Sequence, residues 1–327
     1  MNNKIRVALI YKDDYKFLSG THFDNTTYYF FMHALQRNKN LDVKYYPAQK
    51  KFDCSQLKNK TDIILLPIND ISGTPDKLDH IKELDIPVVS RIGDPHYVKK
   101  FNNLEFHEKW GIDYSFNFMH KDYFHQFYPK NFDYKEIIFG LEPNLYNQIN
   151  SDYDNRIKNK ILNSGAIGKS NIKSRVANKI LNPKRSSWYF YKLRTMCNNL
   201  NYVIHARDLP NQNLSYQQHL SQYLAAIAAT TFYPTIKYWE TAGSGCLTFM
   251  EITKLNRGDY LGFQDGVNAI FINEKNYKQK FSEFLEDPNN PKWVNIAKEG
   301  QIFASKKFNN DYAVDNLVLL FTELLKK

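Results

Sequence analysis

The sequence predicts an α/β protein built from two doubly wound domains. Three observations lead there. At 327 residues the chain exceeds what one core usually organises. Short continuous apolar runs such as Ile63-Ile64-Leu65-Leu66 suit parallel strands covered on both faces. Such runs alternate with helix-patterned or turn-rich connections along most of the chain. A hydrophobic content of 43%, with 15% aromatic residues, supplies ample core and excludes a disordered chain.

In the first half, residues 5–11, 41–46, 61–67, 86–90, 114–119 and 136–139 read as strands. Residues 26–37, 75–84, 97–110 and 121–128 read as the helical or turn-rich connections between them. The stretch 147–158 is polar and lacks periodicity, so the domains divide into 1–147 and 148–327. The second domain opens with a strand at 160–163, the turn Ser164-Gly165-Ala166-Ile167-Gly168-Lys169-Ser170 and a helix carrying Arg175. A strand at 202–205 and a helix at 215–229 follow, with Tyr223, Leu224 and Ile227 as core. Glu240 then begins a helix that ends in glycines, before the apolar strand 247–249 and a second glycine turn from Gly262 to Gly266. Strand 268–272, a helix through 281–285, an Asp287-Pro288 break, a helix around Ile296-Ala297 closed by Gly300, and a last helix over 311–325 complete the chain. That last helix is expected to pack back on the first domain.

The stretch around Glu240 carries the most chemistry. A carboxylate can take both hydroxyls of a ribose, while a helix N-terminus offers backbone N–H groups and partial positive charge to a diphosphate. The bland alternative is a solvated Glu on an amphipathic helix with a glycine cap. Glycines let backbone approach a ligand closely, so Gly165 and Gly168, with Lys169 or Arg175, are candidates for a pyrophosphate. Thr235 and Lys237, just before Glu240, offer a hydroxyl and an ammonium to the same phosphates. The Gly-Lys-Ser triplet lacks the earlier glycine of a triphosphate-binding loop, because Asn163 stands there. No dinucleotide fingerprint follows the first strand.

Glu240, Ala242, Gly243 and Gly245 followed by Leu247 to Phe249 resemble the donor-binding segment of group 1 glycosyltransferases. The order of elements over roughly the last hundred residues resembles the end of that family too. The resemblance implies the GT-B fold, two Rossmann-like domains facing across a cleft, with an acceptor-binding first domain and a nucleotide-sugar-binding second one. It implies a transferase, of hexosyltransferase type, moving a sugar from a nucleotide-diphosphate donor to a hydroxyl acceptor on a glycan or lipid-linked molecule. Glu240 then holds ribose, with Gly245 in the donor segment, and Gly20 and His22 occupy a loop that in the family approaches the donor phosphate or supplies a base. If the reaction inverts, Asp94 in Arg91-Ile92-Gly93-Asp94-Pro95-His96 is the first candidate for the base and His22 the second. Asp94 reads equally as a helix cap ahead of Pro95. The chain departs from the retaining members at Phe232, where many carry a second Glu, and this leaves the stereochemistry open. A nucleotide-sugar epimerase, or a non-catalytic sugar-nucleotide-binding protein on the same scaffold, is the alternative.

No metal cluster is evident: His120 and His125 do not share a helical face, and the family neutralises the donor diphosphate without a metal. Neither metal nor cofactor is expected, the nucleotide sugar being substrate. Cys54, Cys197 and Cys246 form no Cys-x-x-Cys pair, so neither a disulfide framework nor a cysteine zinc site is expected, and a reducing compartment fits. The apolar run 7–11 is too short for a signal peptide, and nothing approaches a membrane span. A soluble cytoplasmic protein is expected, with peripheral contact at an acidic membrane surface left open. The net charge of +10 reads as spread along the chain and as compositional bias, ahead of any nucleic-acid partner.

Overall fold

A computed structural model of the chain describes residues 4–20, 26–149, 152–168, 171–181, 187–209 and 214–326. The chain divides into two compact units, one of residues 1–142 with 310–327 and the other of residues 143–309. The division therefore falls at Glu142 and not at residue 147, and the last helix belongs to the first unit.

The first unit contains β1 (Ile5–Lys12), β2 (Leu41–Ala48), β3 (Lys51–Asp53), β4 (Ile63–Leu66), β5 (Lys77–Asp79), β6 (Val88–Arg91), β7 (Tyr114–Asn117) and β8 (Tyr134–Glu136). Six of them form a parallel sheet in the order β2-β1-β4-β6-β7-β8, while β3 and β5 make a small separate pair that the sequence did not reveal. Burial on both faces explains the apolar runs. Val7, Leu9, Ile63 and Leu65 face one core, and Ala8, Ile10, Ile64 and Leu66 face the other. The helical connections are α1 (Thr26–Tyr28), α2 (Leu35–Arg37), α3 (Asn103–Lys109) and α4 (Lys121–Phe124). Residues Tyr29–Ala34, between α1 and α2, wind as a π-helix, and the Tyr45 hydroxyl donates to the Phe31 carbonyl at 2.9 Å inside that turn.

The second unit holds α5 (Pro143–Tyr146), β9 (Ile157–Asn163), α6 (Ile172–Leu181), α7 (Ser187–Phe190), α8 (Lys192–Cys197), β10 (Val203–His205), α9 (Tyr216–Ser221) and β11 (Tyr223–Ala228). It continues with α10 (Lys237–Gly243), β12 (Leu247–Glu251), β13 (Ile270–Ile272), α11 (Tyr277–Glu286) and α12 (Pro291–Lys307). Its parallel sheet has the order β10-β9-β11-β12-β13. The expected helix over 215–229 is corrected: it stops at Ser221, and Tyr223–Ala228 is a wholly buried central strand. An unbroken apolar run carries no period, so Tyr-Leu-Ala-Ala-Ile-Ala suits either element until its neighbours are known. Gly300 does not close its helix either. It lies inside α12 where a Cβ would sit 2.6 Å from the Asn268 carbonyl oxygen, so the residue permits close helix-to-turn approach.

The closing helix α13 (Asn310–Leu324) puts Val314, Leu317, Leu320 and Phe321 into the same core as Val7 and Leu9 of the first unit. Its entry is pinned by Asn310, whose backbone N–H donates to the Leu141 carbonyl at 2.8 Å and whose side-chain oxygen accepts from the Gly140 N–H at 2.8 Å. Buried Glu142 accepts from Arg37 at 2.7 and 3.1 Å and from Asn310 at 3.0 Å. No helix among the described residues is long and apolar enough to cross a membrane. The charge is not spread along the chain: between Asp154 and Asp208 lie twelve Lys and Arg and no Asp or Glu, against a whole-chain excess of ten.

Candidate functional site

In a doubly wound sheet, ligands bind at the carboxyl ends of the strands where the strand order reverses. In the second unit that point lies between β9 and β11. The turn after β9 and the start of α10, which follows β11, meet there. Gly165 in the turn has φ of +98°, and a Cβ on it would stand 2.7 Å from Arg194 Nη1 and 3.6 Å from Lys237 Cε. His205, at the end of β10, sets the turn: its Nδ1 accepts the Arg207 N–H at 3.1 Å, so Nε2 carries the proton and donates to the Gly165 carbonyl at 2.9 Å.

Two cations line this turn. Lys237 opens α10 and reaches Glu240, one turn on, with 2.9 Å between Nζ and Oε2. Its ammonium also lies 3.9 Å from the centroid of the Tyr216 ring, whose hydroxyl is 2.7 Å from Ser164 Oγ. Both partners are buried, Glu240 to 1% exposure. Arg194, from α8, is equally buried. Its Nη1 donates to the Ala166 carbonyl at 3.2 Å, but among the described residues Nε and Nη2 have no hydrogen-bond partner. The hydroxyl of Thr235 is likewise buried and unpartnered among the described residues. Burial pulls the Arg194 pKa below its ordinary value, opposed by Tyr191, Tyr238, Tyr216 and Glu251.

Glu251 closes the group from the end of β12. Burial, helped by Glu274, pushes its carboxyl up to about 7 against the pull of Arg194 and Lys192. Its Oε2 has no hydrogen-bond partner among the described residues. A buried guanidinium with two unpartnered nitrogens is costly in a folded protein, and an anion held between Arg194 and Lys237 would satisfy it.

The expected site residues divide. Gly165, Lys237 and Glu240 sit in the parts just described, and Thr235 lies two residues ahead of α10, its carbonyl accepting the Tyr238 N–H at 3.0 Å. Gly168 lies in the same turn, but its N–H donates to Thr195 Oγ1 at 2.8 Å. Arg175 stacks its guanidinium 3.5 Å from the centroid of Trp188. Gly245 stands at the opposite, amino edge of the sheet, ahead of β12. There its φ of +72° completes a helix stop, with Gly245 N–H bonded to Ala242 O at 2.8 Å and Cys246 N–H to Thr241 O at 3.1 Å. The Gly245 carbonyl accepts from buried Arg156 at 2.6 Å. The first turn of α10 also offers fewer open amides than expected, since the N–H groups of Tyr238, Trp239 and Glu240 bond to Thr235 and Ile236 carbonyls.

In the first unit, Asp94 Oδ1 accepts the His96 backbone N–H at 3.0 Å and lies 2.7 Å from His96 Nδ1. His96 Nε2 is in turn 2.7 Å from the Tyr123 hydroxyl. Asp94 thus caps the turn Pro95–Tyr97 and orients an imidazole at once, at the carboxyl edge of β6. Gly20, with φ of +73°, packs toward the Tyr28 ring. His22 and Lys169 lie outside the described residues. Arg194, His205 and Glu251 were missed by sequence reasoning. Glu251 had a usable signal, since it ends a strand at the edge where ligands bind, whereas Arg194 becomes visible only when α8 folds over the turn. Among the described residues no three His, Cys, Asp or Glu side chains are grouped to hold a metal ion.

No family model and no curated protein sequence matches the chain. Solved structures do. A glycosyltransferase from Rickettsia africae ESF-5 superposes with a TM-score of 0.57 at 11% identity, covering 99% of this chain and 100% of the other. HepE from Anabaena, solved in complex with UDP, gives 0.56 at 13% identity, covering 98% and 100%. An alpha-glucosyltransferase solved with UDP-glucose and DNA containing an abasic site gives 0.54 at 10% identity, covering 98% and 99%. Two Rossmann-like units, parallel sheets and likeness along nearly the whole length show that this chain has the GT-B fold of these glycosyltransferases.

Proposed function

We propose that the protein is a glycosyltransferase of hexosyltransferase type, moving a sugar from a nucleotide-diphosphate sugar to the hydroxyl of a glycan or lipid-linked acceptor without a metal ion. The observation that carries this reading is the buried Arg194 guanidinium, unpartnered at two nitrogens among the described residues, meeting Lys237 at the Gly165 turn. Support comes from HepE and the alpha-glucosyltransferase, which share the fold and were solved with UDP or UDP-glucose.

In this reading Arg194, Lys237 and Thr235 hold the diphosphate and Glu240 takes the ribose hydroxyls. As the bond between the anomeric carbon and the phosphate oxygen breaks, negative charge grows on the nucleoside diphosphate. Fixed cations in a water-poor site bind that developing charge more strongly than they bind the ground state. The acceptor oxygen forms the new bond at the anomeric carbon, and its proton passes to a base. Asp94, steadied by His96, is the group we assign if the reaction inverts.

Thermal shift with uridine, guanosine and thymidine diphosphates and their sugars tests donor binding. Saturation near a hundredfold excess over Kd stabilises the native state by about 2.7 kcal/mol. Silence with every nucleotide refutes the reading. Time-dependent nucleotide release with a mixture of acceptors then separates transfer from mere binding, and sugar scrambling without release would mean epimerisation. Release should persist in EDTA. Loss on chelation with recovery in magnesium or manganese would overturn the metal-free claim.

A further inference from the structure

Helix α6 presents an apolar stripe to solvent. Ile172, Val176 and Ile180 are 72%, 54% and 75% exposed. At ~100° per residue their spacing confines them to an arc of roughly 80°. Three aliphatic side chains aligned in this way usually form the buried seam of a helix. Here Lys173 is exposed beside them, and Arg175 stacks on the half-buried Trp188.

The charge around this helix is one-sided. From residue 169 to 185 the sequence places Lys169, Lys173, Arg175, Lys179, Lys184 and Arg185 without a single acidic residue. Elsewhere in the same acid-free segment most cations are used within the fold: Arg156 and Arg194 are buried, Lys158 and Lys192 pair with Asp154 and Glu274, and Lys160 donates to the Asn201 carbonyl at 3.0 Å, while Arg207 is exposed. Within α6 itself the sequence places Lys173, Arg175 and Lys179 and no acidic residue. We propose that α6 lies in the plane of an anionic lipid surface, with Ile172, Val176 and Ile180 at the acyl boundary and Lys173 among the headgroups. Long basic side chains can cover apolar surface while keeping their charge in the headgroup layer, and Trp188 suits that depth. A nucleic acid would reward the charges but not the aliphatic stripe. The inference is independent of the donor site.

Co-sedimentation tests it, using vesicles of phosphatidylcholine alone and with one third phosphatidylglycerol. The wild-type protein should bind the anionic vesicles, leave the neutral ones, and be released by raised salt. I172S/V176S/I180S, which keeps every charge, should bind the anionic vesicles roughly tenfold more weakly or worse. V176D should do the same with a smaller change to the helix, and unchanged melting temperatures would show that both variants fold. Absence of binding to anionic vesicles would overturn the proposal. So would equal binding by the triple variant, which would reduce the effect to adsorption of a basic protein. Duplex DNA bound as tightly as the vesicles, and weakened by the same substitutions, would replace lipid by nucleic acid.

Discussion

Replacing Glu240 by Gln separates the two jobs assigned to this side chain. In the folded protein its carboxylate stands 2.9 Å from the Lys237 ammonium, with both groups nearly sealed from solvent. Breaking a buried pair costs about 3–5 kcal/mol because the remaining charge loses its partner. Gln still offers a carbonyl oxygen, so the lower end, about 3 kcal/mol, is expected. For a unit of this size that is a fall of roughly 6–12 °C in melting temperature. The second job is the ribose. Exchanging the carboxylate for a neutral amide, a loss of about 1.5–3 kcal/mol in charge-assisted hydrogen bonding, should weaken a nucleoside diphosphate roughly 10- to 100-fold. Inorganic pyrophosphate carries no ribose, so on this assignment its affinity should stay the same or rise as Lys237 loses its carboxylate. Calorimetric titration of the wild type and Glu240→Gln with both ligands reads this directly. Equal weakening of nucleotide and pyrophosphate would refute the ribose assignment, and an unchanged melting temperature would refute the buried pair.

Three further outcomes follow from the geometry. The Glu251 carboxyl, held at about 7 against an ordinary 4.5, makes the folded state bind a proton that the unfolded chain releases. Its stability contribution is complete below about pH 4.5 and lost as pH rises through about 7, a swing of about 3 kcal/mol. Glu251→Gln should shrink the fall in melting temperature between pH 5 and pH 8, and identical falls in both proteins would contradict the burial argument. Gly165→Ala places a Cβ 2.7 Å from Arg194 Nη1 on a left-handed backbone, so it should lose about 1–3 kcal/mol of stability and bind diphosphate less tightly. Normal diphosphate affinity in that variant would remove Gly165 from the site. If the reaction inverts, Asp94→Asn should lower turnover by roughly 100- to 10,000-fold with donor affinity intact, and near wild-type turnover would return Asp94 to capping alone.

Much of this architecture was legible because it repeats. Short apolar runs between helix-patterned segments announce a parallel sheet, and Ile63 to Leu66 behaves as its composition predicts. Where an element is buried on every side the signal disappears, which is why Tyr223 to Ala228 reads as helix. The site shows the same division. Lys237 and Glu240 are neighbours in sequence and could be read together, as could the glycine turn after β9. Arg194 reaches that turn from another element, and no spacing rule links residues that only folding makes adjacent. Gly245 shows that a glycine that ends a helix and one that admits a ligand look alike in one dimension. The charge lesson is different: the acid-free segment was in plain view, and totalling charge over the chain concealed it.

The hydrogen bond from Asn310 to Leu141 makes the second unit, in effect, an insertion within the first. During synthesis the opening 142 residues emerge without the helix that seals their core, and must wait for the final eighteen. The inserted unit is already complete by then, so it is the first to mature although it begins later in the chain. Loss of those terminal residues would uncover Val7, Leu9, Phe30 and Phe31 at the other end of the sequence.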